Sequence, residues 1–240
     1  MLRYELLLNL VLLVVCYVYV LACIVFSAKA SSLFGFSGKS SRKLLHVLVG
    51  NLPFLIPFFT LNVFPVNFPL MVAAPFVFVT FLASPCSPTP ALSKRLKALT
   101  GLAESGHGLG LVYYAFSYTL LALFFASKPY VMAAGILPMA YGDACAALVG
   151  EKYGKTRYRV FAEKTVEGST AMFLASFLSL EVGFLFFSCL YPLQLTSLAW
   201  AALAVAAAVT LAESFSPLGF DNLTVPLLGV FTFMLVTGGA

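Results

Sequence analysis

The chain has 240 residues, of which 61% are hydrophobic and only 10% are charged, with a formal net charge of +5. Soluble domains are typically about 45–50% apolar and about 25% charged, and a fold of this size leaves too much surface exposed to hide such an excess. The composition therefore excludes a water-soluble protein, and the lipid bilayer is the solvent for most of the chain. Because the basic residues lie in short loops, they indicate membrane topology, and we expect no nucleic-acid partner.

The apolar residues form long continuous runs, which predict helices, because the strands of a membrane barrel would alternate in polarity. Each run is near the ~20 residues that a helix needs to cross the hydrocarbon. We therefore predict an all-α integral membrane protein, a single transmembrane domain over 1–240 that is a bundle of about eight transmembrane helices. The predicted spans are 5–27, 44–61, 63–84, 107–126, 129–150, 169–190, 193–213 and 223–239. Prolines interrupt the second and third spans, so a re-entrant pair is the alternative there.

Basic residues are distributed unequally between the two ends of the predicted bundle. The segments 28–43, 85–106 and 151–168 carry 12 of the 14 lysines and arginines. With eight crossings these three loops fall on the same side, together with 214–222. Since basic loops favour the cytoplasm, the pattern predicts a multi-pass protein with these loops on the cytoplasmic face and both termini on the other side.

The fifth span and the loop after it combine an acidic residue, glycines and several basic residues. Asp143 lies inside an apolar helix, where a carboxylate usually faces a partner, a metal ion or water. Mg²⁺ in phosphoryl-transfer sites is commonly held by one or two carboxylates and by substrate phosphates. Gly150 and Gly154 would let backbone approach a ligand, and the basic residues could pair with phosphates. Alternatively, Asp143 pairs with a neighbouring helix, the glycines pack helices and the basic residues only set topology.

Other polar residues occur at the starts of spans. Arg42 and Lys43 open the second span, and His46 lies one turn further on the same helical face. Cations at a helix N-terminus oppose the helix dipole, so their presence here favours a role in binding an anion. Glu104, before the fourth span, is a candidate metal ligand or base, or an ordinary cap. Glu181 lies in the middle of the sixth span, where we expect it to be buried and hydrogen-bonded.

Several of these residues stand in the order of a known family. Asp143-x-x-Ala146-x-x-x-Gly150-x-x-x-Gly154, followed by Lys164-Thr165-x-Glu167-Gly168, resembles the CTP-binding signature of the dolichol kinases. Arg42-Lys43-x-x-His46, Glu104-x-Gly106, and Glu213 followed by Asp221-Asn222-Leu223 and Pro226 resemble the wider family of phytol kinases, dolichol kinases and CTP-dependent diacylglycerol kinases. The resemblance extends from about residue 42 to residue 226. Where the dolichol-kinase pattern has two adjacent basic residues, this chain has Glu163-Lys164.

This resemblance implies transfer of the γ-phosphate of CTP to the hydroxyl of an isoprenoid alcohol such as dolichol, polyprenol or phytol, with Mg²⁺ as cofactor. The implied metal ligands are Asp143, Asp221 and Glu167. The implied catalytic residues are Asp143, Glu104 and His46, of which Glu104 or His46 would orient the hydroxyl. The implied nucleotide-binding residues are Arg42, Lys43, Gly150, Gly154, Arg157, Arg159, Lys164, Thr165, Glu167, Gly168 and Asn222.

Two other functions are compatible with parts of this pattern. A CTP-dependent cytidylyltransferase would share the nucleotide, the metal ion and the basic loops, but would form a CDP-lipid and release pyrophosphate. A small transporter could use Asp143 and Glu181 as a relay. The transporter is disfavoured because the charged residues lie towards one face and no second half of the chain mirrors the first.

Overall fold

The computed structural model describes residues 2–96, 99, 101–102, 108–217 and 219–238. The described helices are α1 (Leu2–Phe34), α2 (Gly38–Val49), α3 (Phe68–Ala83), α4 (Pro90–Arg95), α5 (Gly110–Phe125), α6 (Pro129–Leu137), α7 (Asp143–Tyr153), α8 (Val166–Ser188), α9 (Leu195–Phe215) and α10 (Asp221–Thr237). Two short antiparallel hairpins join β1 (Asn62–Val63) to β2 (Val66–Asn67) and β3 (Arg157–Arg159) to β4 (Glu163–Thr165). This architecture confirms the predicted fold class, an all-α membrane protein.

Within the described residues, four helical segments are long and apolar enough to cross a membrane: Arg3–Ala30, Pro129–Tyr153, Val166–Ser188 and Leu195–Phe215. The apolar helices α3, α5 and α10 are shorter. The number of crossings therefore stays a prediction. The chain divides into two compact units, Met1–Pro129 (unit 1) and Tyr130–Ala240 (unit 2).

In unit 1 the predicted second span, 44–61, is not one continuous helix. Helix α2 ends at Val49, and single 3-10 turns follow at Leu52–Phe54 and Ile56–Phe58. Each turn contains a proline in its first positions, and proline cannot donate the backbone hydrogen bond that an α-helix would need there. The interrupted segment nevertheless reaches the beginning of α1, where the Asn9 side-chain oxygen accepts hydrogen bonds from the backbone nitrogens of Thr60 and Leu61, both at 3.2 Å.

A helix end lacks backbone donors for some of its last carbonyls, which is costly in lipid unless other groups satisfy them. At the end of α2 the backbone nitrogens of Gly50 and Asn51 still donate to the carbonyls of His46 and Leu48. Side chains of three tyrosines and one asparagine donate to the last carbonyls of α2: Tyr19 to Leu48, Asn51 to Val47, Tyr114 to His46 and Tyr118 to Val49, at 2.6–2.9 Å. Backbone polarity at the break is thus satisfied inside unit 1.

In unit 2 a π-helical turn, Pro138–Gly142, joins α6 to α7 and makes one continuous helix. Helices α8 and α10 pack very closely against this continuous helix. A Cβ added at Gly142 would lie 2.8 Å from the sulfur of Met172 in α8, and one added at Gly229 of α10 would lie 2.7 Å from the carbonyl oxygen of Ala134 in α6. Single π turns within α-helices are frequent at functional sites, and this one lies directly before Asp143.

Candidate active site

Unit 2 brings four charged residues from four separate elements together. Lys164 of β4 donates a hydrogen bond to Glu213 in the last turn of α9, and the two form an ion pair. Asp143, at the start of α7, and Asp221, at the start of α10, interact electrostatically with both members of this pair. We call these four residues the acidic cluster. Asp143 and Glu213 are buried residues, at 4% and 3% exposure.

Helix geometry bears on two members of the cluster. Asp221 occupies the first turn of α10, where the helix dipole favours a carboxylate, whereas Asp143 follows the π turn inside the continuous helix of α6 and α7. Glu213 lies near the C-terminal end of α9, where the dipole opposes a negative charge. The ion pair with Lys164 offsets that cost, so β4 is tied to α9.

Lys164 is the cation of this cluster. Burial lowers the pKa of Lys164, but the charge of Glu213, the hydrogen bond to it, and the charges of Asp221 and Asp143 together raise that pKa above its ordinary value. Lys164 therefore stays protonated at physiological pH. When all three carboxylates are ionised, the cluster contains more negative than positive charge.

The hairpin β3–β4 holds Lys164 in this position. Tyr158 lies directly opposite Lys164 in the ladder, so their side chains share one face of the hairpin. The Tyr158 hydroxyl is hydrogen-bonded to Ser169 of α8 at 2.6 Å and to Ser214 of α9 at 2.8 Å. Tyr158 thus anchors the hairpin to two helices, a role that no motif in the sequence indicated.

Two predicted phosphate ligands lie on the other face of the same hairpin. Arg157 and Arg159 are exposed, and Arg157 forms an ion pair with Glu163 at 2.6 Å while both side chains are more than half exposed. The structure therefore brings Lys164 to the acidic cluster and leaves these two arginines at the surface of unit 2. Their contact with phosphate stays a prediction.

The glycines of the signature lie at a close contact between α7 and α8. Thr165 caps α8 by accepting a hydrogen bond from the backbone nitrogen of Gly168 at 3.1 Å. A Cβ added at Gly150 would lie 3.0 Å from the Thr165 hydroxyl, and one added at Gly168 would lie 3.0 Å from the Ala146 carbonyl oxygen. A Cβ added at Gly154 would overlap the backbone of α7 and the side chain of Thr165. The spacing of these residues is thus explained by packing of the protein against itself, and their contact with a nucleotide stays a prediction.

Glu167 and Asn222 have local partners. The Glu167 carboxylate accepts hydrogen bonds from the backbone nitrogen of Thr156 at 3.2 and 3.3 Å, which closes the base of the hairpin. Asn222 is buried, and its backbone nitrogen donates to Asp221 at 2.9 Å. These contacts give Glu167 a structural role at the hairpin and place Asn222 beside the acidic cluster.

The predicted basic residues of the second span lie in unit 1, where Arg42, Lys43 and His46 are buried on α2 with exposures of 5%, 5% and 0%. The His46 ring stacks on Tyr114 with centroids 4.3 Å apart. Buried cations need partners, and the Nε atom of Arg42 donates no hydrogen bond to any residue in the described part of the chain. Glu104 lies outside the described residues.

The expectation for Glu181 is wrong for one of its oxygens. The Oε1 atom is buried in α8, but it makes no hydrogen bond within the described residues. The sequence could not show this, because a hydrogen bond in the middle of a helix depends on which neighbouring helix faces it.

Binding of magnesium at the acidic cluster stays a prediction. Among the described residues no three histidine, cysteine, aspartate or glutamate side chains form a metal site by themselves. Mg²⁺ usually takes only one or two protein carboxylates and fills its octahedral shell with water and substrate phosphates. Asp143 and Asp221 could supply those carboxylates, and the excess negative charge of the cluster is compatible with a divalent cation.

The chain is similar to two phytol kinases. It is 44% identical over 140 residues to a phytol kinase from Synechocystis sp., and the aligned region covers 57% of this chain and 58% of that relative. It is 31% identical over 135 residues to a probable chloroplastic phytol kinase 1 from Oryza sativa subsp. japonica, and the aligned region covers 54% of this chain and 42% of that relative. The chain thus spans about half the length of these relatives. No family model and no solved structure matches it significantly. The two similarities confirm the resemblance to the phytol kinase family that the sequence motifs indicated.

Proposed function

We propose that this protein is a membrane lipid kinase that transfers the γ-phosphate of CTP to the hydroxyl of an isoprenoid alcohol, phytol or a longer polyprenol such as dolichol. The observation that carries the proposal is the position of Lys164 among Asp143, Glu213 and Asp221 in unit 2. A phosphate-binding cation beside carboxylates that can hold Mg²⁺ is what phosphoryl transfer requires. The two relatives named phytol kinases support the class of alcohol.

The acidic cluster would act mainly by positioning and by neutralising charge. Lys164 would exchange its hydrogen bond with Glu213 for one with a phosphate oxygen, which is an acceptor of similar charge. Asp143 and Asp221 would hold Mg²⁺, which when bound neutralises the negative charge of the phosphates. The alcohol oxygen then bonds to the γ-phosphorus, the bond between the γ-phosphorus and the bridging oxygen breaks, and CDP leaves. The hydroxyl proton passes to a base, for which Glu104 and His46 are the candidates.

An isoprenoid alcohol is also compatible with the setting. Its hydrocarbon chain stays in lipid while its hydroxyl reaches the interface, where the ends of α7, α9 and α10 are expected from the lengths of these helices. A water-soluble alcohol would gain nothing from a site that is built into a membrane protein.

The direct test is to incubate the purified protein with CTP, Mg²⁺ and phytol in lipid vesicles and to identify the products. We expect CDP and phytyl monophosphate, and these products to form much more slowly with the Lys164→Gln variant. Pyrophosphate with a CDP-lipid would instead show a cytidylyltransferase. Absence of both products with phytol, with longer polyprenols and with ATP in place of CTP would refute the proposal.

A further inference from the structure

Unit 1 contains an apolar cavity of about 60 Å³ between α1, α2, α3 and α5. This volume is several times the ~10–15 Å³ that a single water molecule needs. The cavity is partly open, and the side chains that form its walls include Val20, Leu45, Val72, Phe76, Leu111 and Ala115. It is therefore large enough for part of a hydrocarbon chain and accessible to a molecule from outside.

The polar side chains in the walls turn their polar atoms away from this space. The hydroxyls of Tyr114 and Tyr118 donate to carbonyls at the end of α2, as described above, and the Thr80 hydroxyl donates to the Phe76 carbonyl of its own helix at 2.6 Å. The walls consequently present methyl groups and ring faces. Water entering such a cavity would find few hydrogen-bond partners, whereas an apolar ligand loses nothing there.

We propose that this cavity binds part of the hydrocarbon chain of the alcohol substrate, an inference that rests on the proposed function. His46 contributes to the lining, is fully buried and stacks on Tyr114. Both ring nitrogens of His46 are buried, so this residue presents a ring face to the cavity, as the tyrosines do. The branched methyls of an isoprenoid chain fill the space between the helices, and the remainder of the chain continues into lipid.

Two alanines in the walls allow the cavity to be filled from within. Ala73 of α3 and Ala115 of α5 both contribute to the lining and are 8% and 7% exposed. The substitutions Ala73→Phe and Ala115→Leu would occupy the space that the alcohol needs. Ala74, the neighbour of Ala73 on α3, is partly exposed and does not belong to the lining, so Ala74→Phe is the matched control.

The first measurement uses binding alone, without nucleotide. A twenty-carbon isoprenoid alcohol that carries a photoreactive diazirine is added to the protein in lipid vesicles, and labelled peptides are identified with and without excess phytol. We expect phytol to compete away labelling at α2, α3 and α5. Each methylene of the ligand that loses its apolar contacts weakens binding about fourfold. Because each filling variant displaces more than one methylene, Ala73→Phe and Ala115→Leu should lower the competed labelling at least about tenfold. The control Ala74→Phe should lower it less than twofold.

The second measurement is kinetic and separates this inference from the proposed function. The two filling variants should raise the KM for phytol at least about tenfold and leave the KM for CTP unchanged. If wild-type protein shows competed labelling at the cavity but transfers no phosphate, the proposed kinase function fails and the binding site stands. If phosphate is transferred while competed labelling lies elsewhere, or while both filling variants keep the normal KM for phytol, the cavity is not the site of the alcohol.

Discussion

Lys164 and Glu213, which are 49 residues apart in the sequence, form an ion pair that joins the β3–β4 hairpin to the last turn of α9. The Glu213 side chain is only 5% exposed, whereas that of Lys164 is 21% exposed. The lysine is therefore the more accessible member of the pair. Under the proposed function, this accessibility is what a phosphate-binding cation requires.

The first prediction concerns the phosphate-binding role of Lys164. Loss of one charged hydrogen bond is typically worth about 1.5–3 kcal/mol, or roughly 10- to 150-fold, so Lys164→Gln should lower kcat/KM for CTP by that factor. Lys152→Gln is the matched control, because it removes the same charge from an exposed position of the same segment. We expect less than a twofold change there, and equal small effects from the two variants would show that the charges serve topology alone.

Removing Lys164 also leaves Glu213 buried without its cation, so a stability effect must be separated from the effect on activity. An unsatisfied buried group costs about 1–3 kcal/mol, and thermal unfolding in detergent should show this loss for Lys164→Gln. The double variant Lys164→Gln with Glu213→Gln should recover most of the stability but not the activity. Recovery of activity together with stability would contradict a phosphate-binding role.

The second prediction concerns Asp143 as a metal ligand. Asp143→Asn keeps the size of the side chain and removes its charge, so Mg²⁺ should bind more weakly and the rate should fall at least about 100-fold, the upper range for lost support of a metal site. The measurement is kcat as a function of Mg²⁺ concentration. Glu163→Gln serves as the control, because Glu163 is exposed and pairs with Arg157. A folded Asp143→Asn protein with normal activity would eliminate this role.

The third prediction concerns Tyr158, which positions Lys164 through the hairpin. Tyr158→Phe removes the hydrogen bonds to Ser169 and Ser214 and should destabilise unit 2 by about 1 kcal/mol. It should also raise the KM for CTP severalfold, because Lys164 loses its fixed position. The control is Tyr153→Phe, since Tyr153 is 57% exposed. If Tyr158→Phe lowers thermal stability but leaves the KM for CTP unchanged, Tyr158 has a structural role only.

The fourth prediction concerns the close contact between α7 and α8. In Gly154→Ala the new Cβ would overlap backbone atoms and the Thr165 side chain, and overpacking of this kind typically costs about 1–3 kcal/mol. The midpoint of thermal unfolding should therefore fall. A Cβ at Gly101 lies within 4 Å of no atom of the described residues, so Gly101→Ala should leave the midpoint unchanged or raise it slightly. Equal midpoints for the two variants would show that the contact is looser than the structure indicates.

The fifth prediction concerns membrane topology. In a variant without native cysteines, single cysteines are introduced at Ser32 and Thr156, two exposed uncharged positions. Both cysteines should react with a membrane-impermeant thiol reagent from the cytoplasmic side, because basic loops favour that side. The same positions should stay unlabelled when the reagent is outside intact cells. Labelling of the two cysteines from opposite sides would contradict the predicted parity of crossings.

Much of the fold follows from local patterns in the chain. Hydropathy determined the membrane class. The last four apolar runs coincide with helices to within a few residues, as for 193–213 against Leu195–Phe215 and 223–239 against Asp221–Thr237, while their crossing of the membrane stays a prediction. Prolines also indicated that the second span would be irregular. These features depend on residues that are neighbours in the sequence, since hydrophobic runs and proline act on a helix directly.

The composition of the active site was decided only by tertiary structure. The sequence singled out Asp143 and Lys164, because an acid in an apolar helix and a cation in a motif are unusual. It could not pair Lys164 with Glu213, assign Tyr158 its two serine partners, or place Arg157 on the outer face of the hairpin, because these contacts depend on which faces of distant helices meet. Spacing along a chain specifies the face of one helix, whereas a charge cluster forms only when packing brings several helix ends together.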